Sequence, residues 1–416
     1  MATIGRDKEG YFVKYLFVKT KGIFLAAAVL AVALCALRLG TPMAAKADGE
    51  AGPGVGPGTV IVNTMFGGQI FGFDIDQNGT EGVLSEALDI GSGGKVLAAV
   101  ETFDQATGAI ISVVKKMETK DDFLTLGIVG NSVGLVEQEH VTGLYVTKRI
   151  YHEVNPVTKN KFVGKWKTTL ASDDIIMHMS RNQGTGGTFS NAVLVFENSG
   201  DFNTVVFGAN FNNKTVGSQV TLTDPTFFFS NEPVVGYDYV TNQAVVASSD
   251  GAVGGPAPQI AVVDLTTGAV TQFTGILGPP PYHQGSISGI AVDSEDGTAV
   301  TATELDARVE FYNLKKKTGF AVTLPGNVGQ LQSGSDVEYD PVNKLFFVAQ
   351  SVSSTGPGSS IQVYDTKGKL VESLNGFNFS NKFNVVSTHI ALNPSNRSGY
   401  VDGPDSGVTQ IQSFTY

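Results

Sequence analysis

Gln259-Ile-Ala-Val-Val-Asp264-Leu-Thr-Thr-Gly268-Ala-Val270 sets an alternating apolar run before an Asp, closes a short turn with Gly, and starts a second run. Period-two alternation on both sides of a Gly-closed turn is the pattern of a half-buried antiparallel hairpin. The phrase recurs. Phe103-Asp104-Gln-Ala-Thr-Gly108-Ala-Ile110 and Ile361-Gln-Val-Tyr-Asp365-Thr-Lys-Gly368-Lys-Leu370 repeat its order. A chain that repeats one supersecondary unit folds as a solenoid or a propeller.

A second recurring phrase separates the two. Val234-Val-Gly-Tyr-Asp238, Gly289-Ile-Ala-Val-Asp293, Asp336-Val-Glu-Tyr-Asp340 and His389-Ile-Ala-Leu-Asn393 each end a short apolar run in Asp or Asn, at intervals of roughly fifty residues. Each interval holds four strand-like runs, for instance 335–340, 344–350, 360–365 and 369–374. Four short antiparallel strands per repeat make a propeller blade. The template gives blades near 69–114, 121–167, 173–222, 233–274, 286–324 and 335–374, and a last segment, 386–416, one strand short. Thr59-Val-Ile-Val-Asn63 can supply that strand, which also removes an exposed sheet edge. The expectation is an all-β, seven-bladed β-propeller of four-stranded antiparallel blades over 59–416, its ring closed by pairing of the N-terminal and C-terminal strands. A different parsing of 121–222 gives six or eight blades.

The hairpin Asp264-Leu-Thr-Thr-Gly-Ala-Val270 and the run Gly289-Ile-Ala-Val-Asp-Ser-Glu-Asp-Gly297 resemble the bacterial YVTN/NHL-type, lactonase-like seven-bladed propellers, most clearly over 225–416. The literal Tyr239-Val-Thr-Asn242 is a coincidence, because it occupies the turn after a first strand and not a second strand. The resemblance implies either an exported surface or scaffold protein or a lactone hydrolase or lyase, and fold alone does not choose between them.

Residues 1–47 read as a secretory signal peptide. Lys14, Lys19 and Lys21 precede an apolar run, Ile23 to Leu37, and Ala45-Lys46-Ala47 offers small residues where a signal peptidase reads. The run is about 15 residues, short of the roughly 20 that cross a bilayer. The expectation is a periplasmic or extracellular protein with no integral membrane span after cleavage. Cys35, the single cysteine, lies in this run, so residues 48–416 contain no thiol for a disulfide, a nucleophile or a metal. Residues 48–58, Asp-Gly-Glu-Ala-Gly-Pro-Gly-Val-Gly-Pro-Gly, read as a flexible leader.

Lys and Arg number 28 against 39 Asp and Glu, a formal net charge of −11, which excludes nucleic acid as a general partner and disfavours anionic membranes. The one basic stretch, Lys148 to Lys167, reads as an exposed hairpin or a dock for an acidic partner or a polysaccharide. The open partner classes are a protein, a polysaccharide or a small molecule.

Aligning the first strands of the repeats on their terminal residue places Asp74, His178 and Glu338 in one column and Asp336 and His389 in another. Other repeats carry Gly or apolar residues there. Acids and imidazoles in such columns suit a divalent cation such as Ca2+, for which the set is Asp74, His178, Asp336, Glu338 and His389. They equally suit an acid/base pair, with His389, Glu338 and Asp336 as catalytic candidates. A solvent-filled channel with a polar lining is the alternative. A second group lies on the expected rim loops: His283, Glu304, Asp306 and Arg308, near a similar loop, Asp402-Gly-Pro-Asp405. Asp104, Asp264 and Asp365 recur by repeat position and belong to turns. No Gly-x-Ser-x-Gly elbow, His-Glu-x-x-His pair or Cys-x-x-Cys-His site is present.

Overall fold

The computed structural model describes residues 54–61, 69–75, 80–89, 95–120, 124–129, 132–141, 144–154, 164–166, 174–181, 191–198, 204–210, 215–222, 233–248, 259–276, 287–303, 308–325, 332–352, 359–377, 389–405 and 408–416. All of them fall in one compact unit, Met43–Tyr416. The expected signal peptide and residues 48–53 of the expected leader lie outside the described residues.

The described chain is all-β. After a short β1 (Val60–Ile61), the strands β2 (Gln69–Ile75), β3 (Glu81–Asp89), β4 (Lys95–Asp104) and β5 (Ile110–Lys120) pair in sequence order as one antiparallel sheet. β6 (Leu124–Val129), β7 (Ser132–Val141), β8 (Leu144–Val154) and β9 (Gly164–Trp166) form the next. β10 (Asp174–Arg181), β11 (Asn191–Asn198) and β12 (Thr204–Asn210) follow, and β12 pairs with both β13 (Thr215–Val216) and β14 (Val220–Leu222). The remaining sheets are β15 (Val234–Asp238) to β18 (Val270–Thr274), with β16 (Gln243–Ser248) and β17 (Gln259–Asp264) between; β19 (Ile287–Asp293), β20 (Thr298–Thr303), β21 (Arg308–Asn313) and β22 (Thr318–Thr323); and β23 (Gln332–Asp340), β24 (Leu345–Val352), β25 (Ser359–Asp365) and β26 (Leu370–Phe377). In the last sheet β27 (Ile390–Asn393), β28 (Ser398–Asp405) and β29 (Val408–Thr415) are joined by β1, with Val60 opposite Gln412 and Ile61 opposite Ile411.

Among the residues whose burial is described, inner strands such as β16 and β17 are covered on both faces and read as near-continuous apolar runs, as in Ala244-Val-Val-Ala247, wholly buried. Fourth strands such as β18 and β22 are mostly exposed. The core therefore lies between sheets. Val245, Ile260 and Ala247 of the β15–β18 sheet pack on Ile290, Val292 and Tyr312 of the next. Ala291, Val300 and Phe311 pack in turn on Val337, Phe346 and Tyr364. Ile70, Phe73 and Phe103 of the β2–β5 sheet pack on Ala391, Tyr400 and Ile411 of the last sheet.

Two local devices repeat. The third-strand turn is an Asx turn: Asp264 Oδ1 accepts the N–H groups of Thr266 and Thr267 at 2.9 and 2.8 Å, and Gly268 follows at φ +75°. Asp104 accepts the Thr107 N–H before Gly108, and Asp365 accepts the N–H groups of Lys367 and Lys369 on either side of Gly368, so these carboxylates serve turns as the repeat position implied. The other device is an aromatic ring laid over a cross-strand glycine. Gly82 faces Phe103 and Gly399 faces Phe414, and a Cβ at either glycine would lie 2.1 Å from the ring.

Part of the expected flexible leader is ordered. Val55 exchanges both backbone hydrogen bonds with Thr415, at 2.9 and 2.8 Å, and Gly58 N–H donates to the Ser413 carbonyl at 2.7 Å. Composition suggested a linker because it counts residue types. It does not show that a glycine's missing side chain is what allows the chain to lie against the sheet.

Candidate functional site

Asp336, His389 and Asp402 meet where three strands converge. Asp336 follows a bulge in β23, at which the register to β24 shifts between Gly334 and Asp336. A bulge re-aims the residue beside it. Asp336 Oδ2 accepts the backbone N–H of Ile390, the first residue of β27, at 2.8 Å. The carboxylate thus ties the first strands of two sheets. On its other side Asp336 abuts β19 at Gly289, where a Cβ would lie 2.6 Å from Asp336 Cα and 2.7 Å from its Oδ1. Only glycine leaves that room.

His389 precedes β27, and its Nδ1 lies 3.1 Å from Oδ2 and 3.3 Å from Oδ1 of Asp402 in β28. Its backbone N–H also donates to Asp402 Oδ1, and the Asp402 N–H returns to the His389 carbonyl at 3.1 Å. Asp402 is buried, whereas the His389 side chain keeps 24% of its surface. Burial works against the imidazolium, but the Asp402 carboxylate and then Asp336 outweigh it and hold the pKa up at about 9. Burial likewise pushes the Asp336 carboxyl up to about 7, against the pull of His389 and the N–H groups of Ile390 and Val337. The raised values of both groups place a protonated imidazole beside a carboxyl that titrates in the neutral range, so the cluster can offer both a proton donor and a proton acceptor.

Of the column residues, the structure brings together Asp336 and His389. Asp74 is buried in β2, with Oδ1 accepting the N–H of Ile75 at 2.8 Å. Glu338 is half-buried in β23. His178 lies in β10 opposite Val195. Among the described residues no group of three or more His, Cys, Asp or Glu side chains could hold a metal ion.

The rim group separates. His283, Glu304 and Asp306 lie outside the described residues. Arg308 is the first residue of β21 and is buried, with Nη2 2.9 Å from Glu310 Oε1. Strand alternation puts Arg308, Glu310 and Tyr312 on one face, where the Tyr312 hydroxyl donates to Glu310 and accepts the Ile276 N–H at 3.1 Å. Its charge is used inside the fold instead of on a rim. The alternation Arg-x-Glu-x-Tyr was the signal for this. Asp402 was grouped with loop residues, and its link to His389 across β27 and β28 was missed, because cross-strand pairing depends on register.

Solved structures share this arrangement of sheets. A chain in a crystal structure of the mitotic checkpoint complex matches with a TM-score of 0.56 at 11% identity, over 91% of this chain and 97% of that one. The Dos1 propeller matches at 0.55 and 9% identity, over 86% and 94%. The WD40 repeats of RRP9 match at 0.53 and 13% identity, over 85% and 96%. The chain folds as a β-propeller. At these identities the likeness concerns the fold alone. No family model matches the sequence, and no curated protein matches it. Among the described residues no helix is long and apolar enough to cross a membrane.

Proposed function

We propose that this chain is an exported seven-bladed β-propeller that acts as a binding module, with the Asp336–His389–Asp402 cluster contacting its ligand. One observation carries the reading: the part-exposed His389 is anchored by the buried Asp402 carboxylate at its ring Nδ1 and at its backbone N–H, next to the point where Asp336 of the neighbouring sheet binds Ile390. Such anchoring fixes a hydrogen-bond donor in space before any ligand arrives. The ligand class is a protein, polysaccharide or small molecule offering a carbonyl or carboxylate oxygen.

Ring closure with seven blades is supported by the pairing of β1 with β29 and by the packing of Phe103 against Tyr400 at 6.1 Å between ring centroids. Successive first strands also neighbour one another, from β2 through β6, β10, β15, β19, β23 and β27 and back to β2. Export rests on the basic and apolar segments before Ala47, and the YVTN/NHL-type kinship on the repeated hairpins.

The test is a glycan, peptide and small-molecule array read with the wild type and with His389→Gln. A ligand that loses tenfold or more affinity in a variant with an unchanged melt supports the reading. Equal binding by both proteins overturns it.

A lactone hydrolase is the second reading, and the opposed protonation of Asp336 and His389 favours it. Asp336 would take a proton from water attacking the lactone carbonyl, and His389 would give one to the ring oxygen as the C–O bond breaks. Turnover of simple lactones that rises through about pH 7 and falls through about pH 9 would carry this reading, given the raised values of both groups. Inertness across about pH 5 to 10, the span in which the two groups titrate, would remove it.

A further inference from the structure

The segment Gly54-Val-Gly-Pro-Gly58 lies on β29 in a way that composition does not explain. Its glycines alternate with other residues, and the inward positions are glycines. A Cβ on Gly54 would lie 2.6 Å from the Thr415 carbonyl oxygen and 2.7 Å from Leu374 Cδ2. One on Gly56 would lie 2.6 Å from Phe377 Cζ and 3.0 Å from Phe414 Cβ. Val55, between them, points outward and is 66% exposed. Leu374, Phe377 and Phe414 are buried, and the Phe377 and Phe414 rings meet edge to face at 6.1 Å.

The polar contacts follow strand addition. Val55, Gly58 and Thr59 exchange backbone hydrogen bonds with Thr415 and Ser413, and the Gly54 N–H donates to the Glu372 carboxylate on β26. The ladder continues into the β1 pairing of Val60 with Gln412. Affinity from a backbone ladder, with specificity from what fits at alternate positions, is how sheet edges capture extended peptides. Here specificity is for the absence of side chains.

We propose that the β29 edge, floored by Leu374, Phe377 and Phe414 and fenced by Glu372, is an acceptor site for an extended peptide with glycine at alternate positions. Residues 54–61 of the same chain fill it, and the same segment of a second copy is its ligand in trans. Acceptor and ligand occur in every molecule, so exchange between copies needs no new interface and replaces each contact by its equivalent.

The test uses the full chain carrying Gly54→Val and Gly56→Val together, which cannot seat its own segment. A fluorescent peptide of residues 50–63 stands for the second copy, read by anisotropy. Saturable binding to the variant, at least tenfold weaker binding to the filled wild type, and none by a peptide with the same two substitutions is the expected result. A folded variant that ignores the peptide, or equal binding of both peptides, overturns the proposal. Hydrogen exchange on the wild type decides the matter if the variant does not fold. Amides of Val55, Gly58 and Thr415 should exchange through a local opening, faster than the β28–β29 ladder; exchange only on global unfolding would show that the segment is not a separable ligand.

Discussion

Asp402 holds His389 at two points, the ring Nδ1 at 3.1 Å and the backbone N–H, so one buried carboxylate fixes both the place and the charge of the imidazole. Asp402→Asn keeps the shape and removes the charge. The ring titration of His389, followed by NMR, should fall from about 9 toward the ordinary histidine value. Removing a charge-assisted partner should cost about 1–3 kcal/mol in chemical denaturation.

The sign of the pH dependence follows from the same cluster. Both Asp336 and His389 have folded values above their unfolded ones, at about 7 and about 9. Each therefore contributes stability that is present at low pH and lost as pH rises through its folded value. Asp336 acts across the window from its ordinary carboxyl value to about 7, and His389 from its ordinary value to about 9. Melts at a series of pH values should show stability declining from mildly acidic to alkaline solution. Asp336→Asn should flatten the acidic part of that decline and lower the His389 titration.

Gly289→Ala tests the room left for Asp336. The new methyl group would meet Asp336 Cα at 2.6 Å, which backbone must yield to. A loss of about 1–3 kcal/mol is expected from overpacking. A simultaneous shift in the His389 titration would show that Asp336 has moved, which destabilisation alone would not produce.

Gly399→Ala tests the ring-over-glycine device. Phe414 would be forced off its cross-strand partner and away from Phe377 and Tyr416. The expected cost is again about 1–3 kcal/mol, measured by denaturant unfolding. The His389 titration should stay where it was.

Tyr416→Phe removes the hydroxyl that donates to Asp340 Oδ2 at 2.8 Å. Asp340 Oδ2 still receives Asn343 Nδ2 at 2.6 Å, so the loss should be limited to about 1 kcal/mol. A loss several times larger would mean that the remaining donor cannot serve the carboxylate alone.

The hairpins were legible because their information is local: alternation, an Asx residue and a Gly at positive φ all lie within ten residues or so. β17 and β18 therefore fall where Gln259 to Val270 predicts them. The split fourth position of β13 and β14 was not legible, since two short strands share β12 without any marked pattern. At the site, Asp336 and His389 were found because column alignment needs only the strand period. Asp402 needed the β27–β28 register, and Arg308 needed knowledge that β21 begins at that residue. Glycines 54 and 56 misled for a different reason: composition equates missing side chains with freedom, whereas here they permit contact.

Asp340 serves two sheets at once. Oδ1 accepts the N–H groups of Val342 and Asn343 in its own turn, and Oδ2 accepts both the Asn343 side chain and the Tyr416 hydroxyl, 76 positions away. The end of the last sheet is therefore positioned by a turn of the sheet before it, so Tyr416 works as a bolt between two neighbouring repeats and not as a loose terminus.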